Sequence, residues 1–177
     1  MKTFAMTLSV FLLLSVGCGR PGETPEAPAR SGAFGAGANV GAGREFDAFI
    51  PDIRTALPEF SAFGKRNGRD VDLLARNGER IGRLRLAPDG EAARTEGFNG
   101  YIDVAVVLTP NGKVAGIAVG GNRETPRWLE RVRRAGFLTR WNGYSVPDAA
   151  KLHVDAVTGA TYSSTAIRDE VGHVLGR

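Results

Sequence analysis

The chain has 177 residues, of which 42% are hydrophobic and 24% are charged, a composition that suits one globular domain with extensions. Its formal net charge of +4 is too modest to indicate a nucleic-acid partner by itself, and we expect none. With one Cys and two His, the chain can form neither a disulfide framework nor a four-ligand zinc site, and we expect no metal.

The first 18 residues predict export. Lys2 supplies a positive start, and the mostly apolar run 4–16 is too short for a comfortable transmembrane span, as is typical of a signal peptide. The segment ends on Gly-Cys and resembles a bacterial lipoprotein signal, cleaved before Cys18 and lipidated on its sulfur. An ordinary secretory signal and an uncleaved anchor are the alternatives. The lipoprotein interpretation places the chain on the extracytoplasmic, periplasmic side of a bacterial membrane.

Residues 19–44 predict a flexible tether, because they are rich in Gly, Ala and Pro and contain little that could form a core. A coil of about 26 residues spans roughly 30 Å root-mean-square. The folded domain is then expected to comprise residues 45–177. At its start, apolar residues at spacings of three and four predict a short amphipathic helix with boundaries at Pro51 and Pro58: Phe46, Phe49, Ile50, Ile53 and Leu57.

A first hairpin is predicted where Asn77-Gly78 separates the apolar runs 71–75 and 81–86. In the second run, leucines and arginines alternate, which is typical of a half-buried antiparallel strand. We expect Arg83 and Arg85 to lie on its solvated face, with a role in ligand binding as the alternative.

A second hairpin is predicted for residues 102–108 and 114–119, which flank Pro110-Asn-Gly112. Val104 and Val106 lie on one predicted face, while Val107 and Ile117 put apolar groups on the opposite one. We therefore expect these strands to be central and covered on both sides.

A helix is predicted near residues 126–136, with Trp128, Leu129 and Val132 facing inward. Arg127, Arg131 and Arg134 fall on its outer face at helical spacing. Six arginines between positions 123 and 140 form a basic patch. The patch is either a solvated surface or a docking surface for an acidic redox partner or anionic lipid.

The stretch 155–164 is the densest motif in the chain. It joins the strand-like run 154–157 to a helix predicted near 164–175, and any of four hydroxyl residues could cap that helix: Thr161, Ser163, Ser164 and Thr165. A short Gly-Ala turn before a helix leaves N–H groups unpaired, and these groups favour an anion together with the helix dipole. A plain turn and cap is the alternative.

The motif residues also match a known pattern, Asp-x-x-Ser/Thr-Gly-Ala-Thr, at Asp155, Thr158, Gly159, Ala160 and Thr161. This pattern resembles the flavinylation site of the FMN-binding domain family, which includes the flavin subunits of the sodium-translocating NADH:quinone reductase and Rnf complexes and the nitrous-oxide reductase regulatory proteins. The resemblance implies covalent FMN on the hydroxyl of Thr161 through a phosphoester. It places Thr158, Gly159, Ala160 and Ser163 at the cofactor. Asp155 would belong to the pattern recognised by a flavin transferase that uses FAD and a divalent metal.

A second resemblance to the same family lies upstream, in Gly97-Phe-Asn-Gly100 and Glu124-Thr125-Pro126. It implies that Glu124 and Thr125 contact the isoalloxazine ring. The plain alternative is that Thr125 caps a helix with Pro126 at its first position, and both can hold. Arg127-Trp128 follows where many members have Gly, which fits the branch similar to the nitrous-oxide reductase regulators. Trp141 is expected in the core, with stacking on a flavin left open.

Together these features predict an α+β fold of antiparallel hairpins and packed helices. The predicted function is that of a membrane-anchored flavoprotein that relays electrons between redox partner proteins, with no catalytic residue of its own. A flavin-free assembly or binding lipoprotein of a membrane redox complex is the alternative, and a reductase with its own substrate pocket is a third interpretation.

Overall fold

The computed structural model describes residues 43–88 and 95–177. The predicted signal peptide, Cys18 and nearly all of the predicted tether lie outside the described residues. The last two tether residues, 43 and 44, begin a short helix. None of the helices in the described ranges is long and apolar enough to cross a membrane.

A five-stranded antiparallel sheet organises the part of the chain that the structure describes, with its strands in chain order. The strands are β1 (Phe60–Asn67), β2 (Asp70–Ala75), β3 (Arg80–Leu86), β4 (Ile102–Leu108) and β5 (Val114–Asn122). Both predicted hairpins are confirmed as β2–β3 and β4–β5. The sequence did not predict β1, which pairs with β2 at one edge of the sheet.

Helices cover both faces of the sheet, which confirms the predicted α+β class. They are α1 (Gly43–Phe46), α2 (Ile50–Ala56), α3 (Pro126–Arg134), α4 (Val146–Lys151) and α5 (Thr161–Leu175). The predicted helices near 50 and 126 are confirmed. The last helix begins three residues earlier than predicted, so Thr161 is its first residue.

Strand β4 lies at the centre of two hydrophobic cores. Val104 and Val106 face the core built with α3, α4 and α5, whereas Ala105 and Val107 face the core built with α1 and α2. The prediction of a strand covered on both sides is confirmed. The assignment of Ile117 to the face of Val107 was wrong, because Ile117 pairs with Val106 and lies in the α5 core.

The buried carboxylate of Asp52 fastens α2 to the sheet and to α3. Arg133 donates two hydrogen bonds to it, at 3.1 and 3.0 Å, and the backbone N–H of Val119 donates a third at 3.0 Å. A paired and hydrogen-bonded buried carboxylate avoids the cost of an isolated buried charge. Helix α2 therefore helps to fix α3, which forms one side of the candidate site.

The arginines of β3 are not simply solvated, so that prediction was wrong. Arg85 donates two hydrogen bonds to Asp70, at 2.8 and 3.0 Å, and Arg83 lies 3.5 Å from the same carboxylate. The hydrogen bond from Arg85 holds the pKa of Asp70 below its ordinary value, and the same bond raises the pKa of Arg85. The ion pairs of Asp70 with Arg83 and Arg85 therefore lie on the face of β3 that was expected to be solvated.

Candidate functional site

An open cleft of about 260 Å³ lies where the two sequence motifs meet. It is lined by the loop before β4, by the first turn of α3 and by the start of α5, through Phe98, Trp128, Gly159, Ala160, Thr161, Tyr162 and Ser163. The fold thus brings together segments that are about 60 positions apart in the chain.

A tight turn leads into α5 and is held by a buried serine. The Ala160 N–H donates to the carbonyl of Val157 at 2.9 Å, and the Val157 N–H donates to the hydroxyl of Ser164 at 2.9 Å. Ser164 in turn donates to the carbonyl of Ala160 at 2.8 Å. The N-cap residue is Ala160, with no side-chain capping bond, so the predicted cap by one of the four hydroxyl residues was wrong. The run 154–157 is not part of the sheet either.

Thr161 is exposed at the first position of α5. Among residues 43–88 and 95–177, its hydroxyl has no hydrogen-bond partner, whereas the neighbouring hydroxyls of Ser163 and Ser164 are engaged. The N–H groups in the first turn of a helix lack intrahelical partners and carry the positive end of the dipole. A free hydroxyl therefore stands at the part of the helix that favours an anion.

Gly159 packs directly under the side chain of Arg131. The guanidinium donates to the carbonyl of Thr158 at 3.4 Å, and a Cβ built on Gly159 would lie only 2.0 Å from Nη1 of Arg131. Gly159 also has a φ of +76°, in the left-handed region that favours glycine. The turn therefore requires glycine for two reasons, and it places the Arg131 guanidinium against the backbone two residues before Thr161.

The buried side chain of Glu124 connects its own segment to the loop before β4 and to the first turn of α5. Its side chain is only 5% exposed, and it accepts hydrogen bonds from the Ser163 hydroxyl and, at 2.7 Å, from the Asn99 N–H. The side-chain amide of Asn99 donates to the hydroxyl of Thr125 at 3.3 Å. A Cβ on Gly97 would lie 2.7 Å from the Glu124 carboxylate, so the loop approaches it too closely for a side chain.

The residues predicted to bind a cofactor fall into two groups. Thr158, Gly159, Ala160, Thr161 and Ser163 form the turn and first turn of α5, and all but Thr158 line the cleft. Glu124 and Thr125 do not line it, and the expected ring contact of these two residues stays a prediction. Thr125 occupies the N-cap position of α3 with Pro126 at the first position, as the plain alternative predicts, but its side chain makes no capping hydrogen bond.

Asp155 lies before the turn, with its side chain 87% exposed. Its carboxylate is 3.5 Å from Nε2 of His153, and its backbone carbonyl accepts a hydrogen bond from Arg140 at 3.3 Å. Asp155 is therefore accessible to another protein. The predicted role in recognition by a flavin transferase stays a prediction.

Three aromatic side chains border the cleft, and sequence reasoning did not assign them to the site. Phe98 and Tyr162 are 61% and 71% exposed, and their ring centroids are 6.1 Å apart. Trp128 is half-buried, and it lines the cleft as well as packing on the core. Trp141 is buried against Phe137, which confirms its prediction as a core residue. Their positions in the sequence could have indicated this role, because Tyr162 directly follows Thr161 and Phe98 lies within the motif Gly97-Phe-Asn-Gly100.

The chemistry of the cleft is that of a binding surface. Its described side chains offer aromatic faces for a flat ring system and a free hydroxyl, with Arg131 beside them. In residues 43–88 and 95–177, no group of three or more His, Cys, Asp or Glu is placed to hold a metal ion.

Residues 97–175 match the family described as the FMN-binding domain. The matched stretch begins at Gly97 and contains every residue that lines the cleft. No curated protein matches the chain. The match supports flavin binding with FMN as the cofactor, and the residues present fit that group. The exposed hydroxyl and helix N-terminus suit its phosphate, and the aromatic cleft suits its ring.

Proposed function

We propose that this chain, whose residues 97–175 match the FMN-binding domain family, holds FMN covalently on Thr161 and relays electrons outside the cytoplasm. The observation that carries the proposal is the exposed Thr161 hydroxyl, which has no partner within the described residues and opens on an aromatic-lined cleft. In the proposal, lipid on Cys18 anchors the chain to a membrane, and redox partner proteins supply and accept the electrons.

Attachment requires Thr161 to act as an acceptor for a separate flavin transferase. Its Oγ forms a bond to the flavin-side phosphorus of FAD, the pyrophosphate bond breaks, AMP leaves and the hydroxyl proton is released. The product is a phosphodiester with one negative charge. The N-terminus of α5 would stabilise this charge by about 0.3–1 kcal/mol at an exposed site. Arg131, which lies beside the turn, adds a positive charge.

The geometry favours a carrier with an accessible ring. The cleft volume of about 260 Å³ is below the usual range for pockets that enclose most of a ligand, roughly 300–1,000 Å³. Phe98 and Tyr162 would therefore flank the flavin while leaving one edge open to a partner. Bound FMN supplies the redox chemistry, and the chain supplies attachment, orientation and electrostatics.

Covalent attachment suits a protein outside the cytoplasm. A carrier in that compartment has no pool of free FMN from which to replace a molecule that dissociates. An ester bond to Thr161 removes dissociation as a route of loss. The exposed Asp155 carboxylate is available to the transferase before attachment.

The test is flavin fluorescence in a denaturing gel, after the chain is produced together with a flavin transferase. Thr161→Val should abolish the fluorescent band, because the acceptor oxygen is gone. Thr165→Val is the matched control, since Thr165 lies one helical turn beyond Thr161 and outside the motif 155–161, and it should retain the band. A fluorescent Thr161→Val chain would contradict the proposal. A wild-type chain without flavin would favour the flavin-free assembly lipoprotein instead.

A further inference from the structure

Three arginines contact Trp128 or the segment 155–159 that leads into the cleft, and none has a carboxylate partner among the residues that the structure describes. Their guanidinium groups contact neutral groups instead: Arg127 the ring of Trp128 at 4.6 Å, Arg131 the carbonyl of Thr158 at 3.4 Å, and Arg140 the carbonyl of Asp155 at 3.3 Å. We call Arg127, Arg131 and Arg140 the arginine rim. All three residues are exposed.

The two other arginines of α3 each pair with a carboxylate, unlike those of the arginine rim. Arg133 pairs with the buried Asp52, and Arg134 pairs with Glu130 one turn away. A guanidinium carries five N–H donors, and a single contact with a carbonyl leaves most of them and the whole charge available. On α3, the positive charge that is not compensated by a carboxylate therefore lies on Arg127 and Arg131, which contact Trp128 and the Thr158-Gly159 turn.

Two exposed aromatic rings line the same cleft as Trp128, over which Arg127 lies. Phe98 and Tyr162 present large apolar surfaces to solvent. Aromatic residues and Arg are the types most enriched at the energetically dominant positions of protein interfaces, and exposed apolar groups rimmed by charge mark interaction sites. The cleft mouth therefore has the composition of a small docking surface.

We propose that the arginine rim, with Phe98 and Tyr162, docks a carboxylate-rich surface of a redox partner protein. The inference rests on the proposed function for its biological meaning, since a partner must approach the cleft to exchange electrons there. Docking of this kind is governed by charge complementarity, which raises the association rate and makes the affinity dependent on salt.

The pattern of charge favours a protein over an anionic lipid surface. Exposed carboxylates lie among the rim arginines, with Glu130 on the same helix and Asp155 in the turn that Arg140 contacts. A lipid surface of uniform negative charge would repel both carboxylates. A protein surface can place carboxylates against the arginines and cations against Glu130 and Asp155.

The test measures the affinity of the full chain for two haem proteins by quenching of its Trp fluorescence, with or without flavin loaded. Cytochrome b5 is an acidic probe and cytochrome c a basic one. At low ionic strength we expect the chain to bind cytochrome b5 more tightly than cytochrome c. The double substitution Arg127→Gln/Arg140→Gln should raise the Kd for cytochrome b5 about tenfold. The matched control is Arg54→Gln/Arg76→Gln, which removes two exposed arginines that lie away from the cleft and should change the Kd less than about twofold.

Three results would overturn the docking proposal. The first is the absence of a preference for cytochrome b5, and the second is an equal loss of affinity in the two double variants. The third comes from a lipid-binding experiment. In it, the full chain with Cys18→Ser is sedimented with phosphatidylcholine vesicles, with or without phosphatidylglycerol. If Arg127→Gln/Arg140→Gln lowers vesicle binding and leaves cytochrome b5 binding unchanged, the rim is a membrane surface. Because these readouts need no flavin, their failure is separate from a failure of attachment at Thr161.

Discussion

Glu124 accepts a hydrogen bond from the hydroxyl of Ser163, a residue 39 positions away in the chain, and both side chains are buried. The same carboxylate accepts from the backbone of Asn99. Phe98 and Tyr162 are the chain neighbours of these two donors, so Glu124 holds the backbone that carries both exposed rings. Glu124 therefore holds in place the two segments whose aromatic side chains line the cleft.

Substitution of Glu124 should therefore destabilise the domain. Glu124→Ala leaves the Ser163 hydroxyl and the Asn99 N–H without their acceptor, and we expect a loss of about 2–3 kcal/mol in the free energy of unfolding. Glu124→Gln keeps one acceptor oxygen and should lose about 1 kcal/mol. Urea denaturation measures both values.

The matched control for Glu124 is Glu130→Ala, because Glu130 is exposed and pairs only with Arg134 in the described contacts. It should change stability by less than about 0.5 kcal/mol. A Glu124→Ala protein as stable as this control would show that the buried carboxylate does not fasten the loops.

Gly159→Ala tests the turn before α5. Two costs are expected, one from the positive φ and one from the clash of the new Cβ with Arg131, for a total of about 1–3 kcal/mol. The clash is relieved by removal of the Arg131 side chain. Gly159→Ala should therefore cost less in an Arg131→Ala background, and a double-mutant cycle by urea denaturation measures the difference. Strictly additive losses would mean that Arg131 does not pack on Gly159.

The sequence predicts the central sheet well because its signals are local. Strand β4 alternates apolar residues toward two cores, and the turn residues Asn77-Gly78 and Pro110-Asn-Gly112 each separate two such runs. Strand β1 escapes prediction because it lies at the edge and contains two register irregularities, so its apolar residues do not alternate. Its pairing depends on β2, which lies next to it in the fold.

The sequence points to the turn and first turn of α5 that line the cleft, but not to the aromatic residues of the cleft and not to most of its contacts. The apolar stripe of α5 begins at Ala166 and Ile167, which places the helix start too late, because the first turn is built from hydroxyl residues. Ser163 and Ser164 resemble surface residues in the sequence, yet both are buried and hydrogen-bonded. Glu124 gives no local signal of burial, because its partners come from the two other segments that the fold brings to it.

The ion pair of Asp70 with Arg85 gives a prediction for stability against pH. The pKa of Asp70 is lowered in the folded chain, chiefly by the hydrogen bond from Arg85, so its contribution is complete above about pH 5 and is lost as the pH falls through the lowered value. At pH 7, Asp70→Asn should lower the free energy of unfolding by about 1 kcal/mol. The difference from wild type should shrink toward zero in strong acid.

Asp72→Asn is the control on the same strand, since Asp72 faces the exposed Arg80 at the longer distance of 3.6 Å. It should lose less stability at pH 7 than Asp70→Asn. Urea titrations of the three proteins across the acid range measure the comparison. An Asp70→Asn deficit that stays constant down to the lowest pH would contradict the assigned ion pair.

The central claim is the bond between Thr161 and FMN, and peptide mass spectrometry of the chain purified from its native cells tests it most directly. We predict that the peptide containing Thr161 carries the added mass of FMN less one water, with fragmentation placing the group on Thr161. Recovery of that peptide only in its unmodified form, or with the flavin on another residue, would contradict the account.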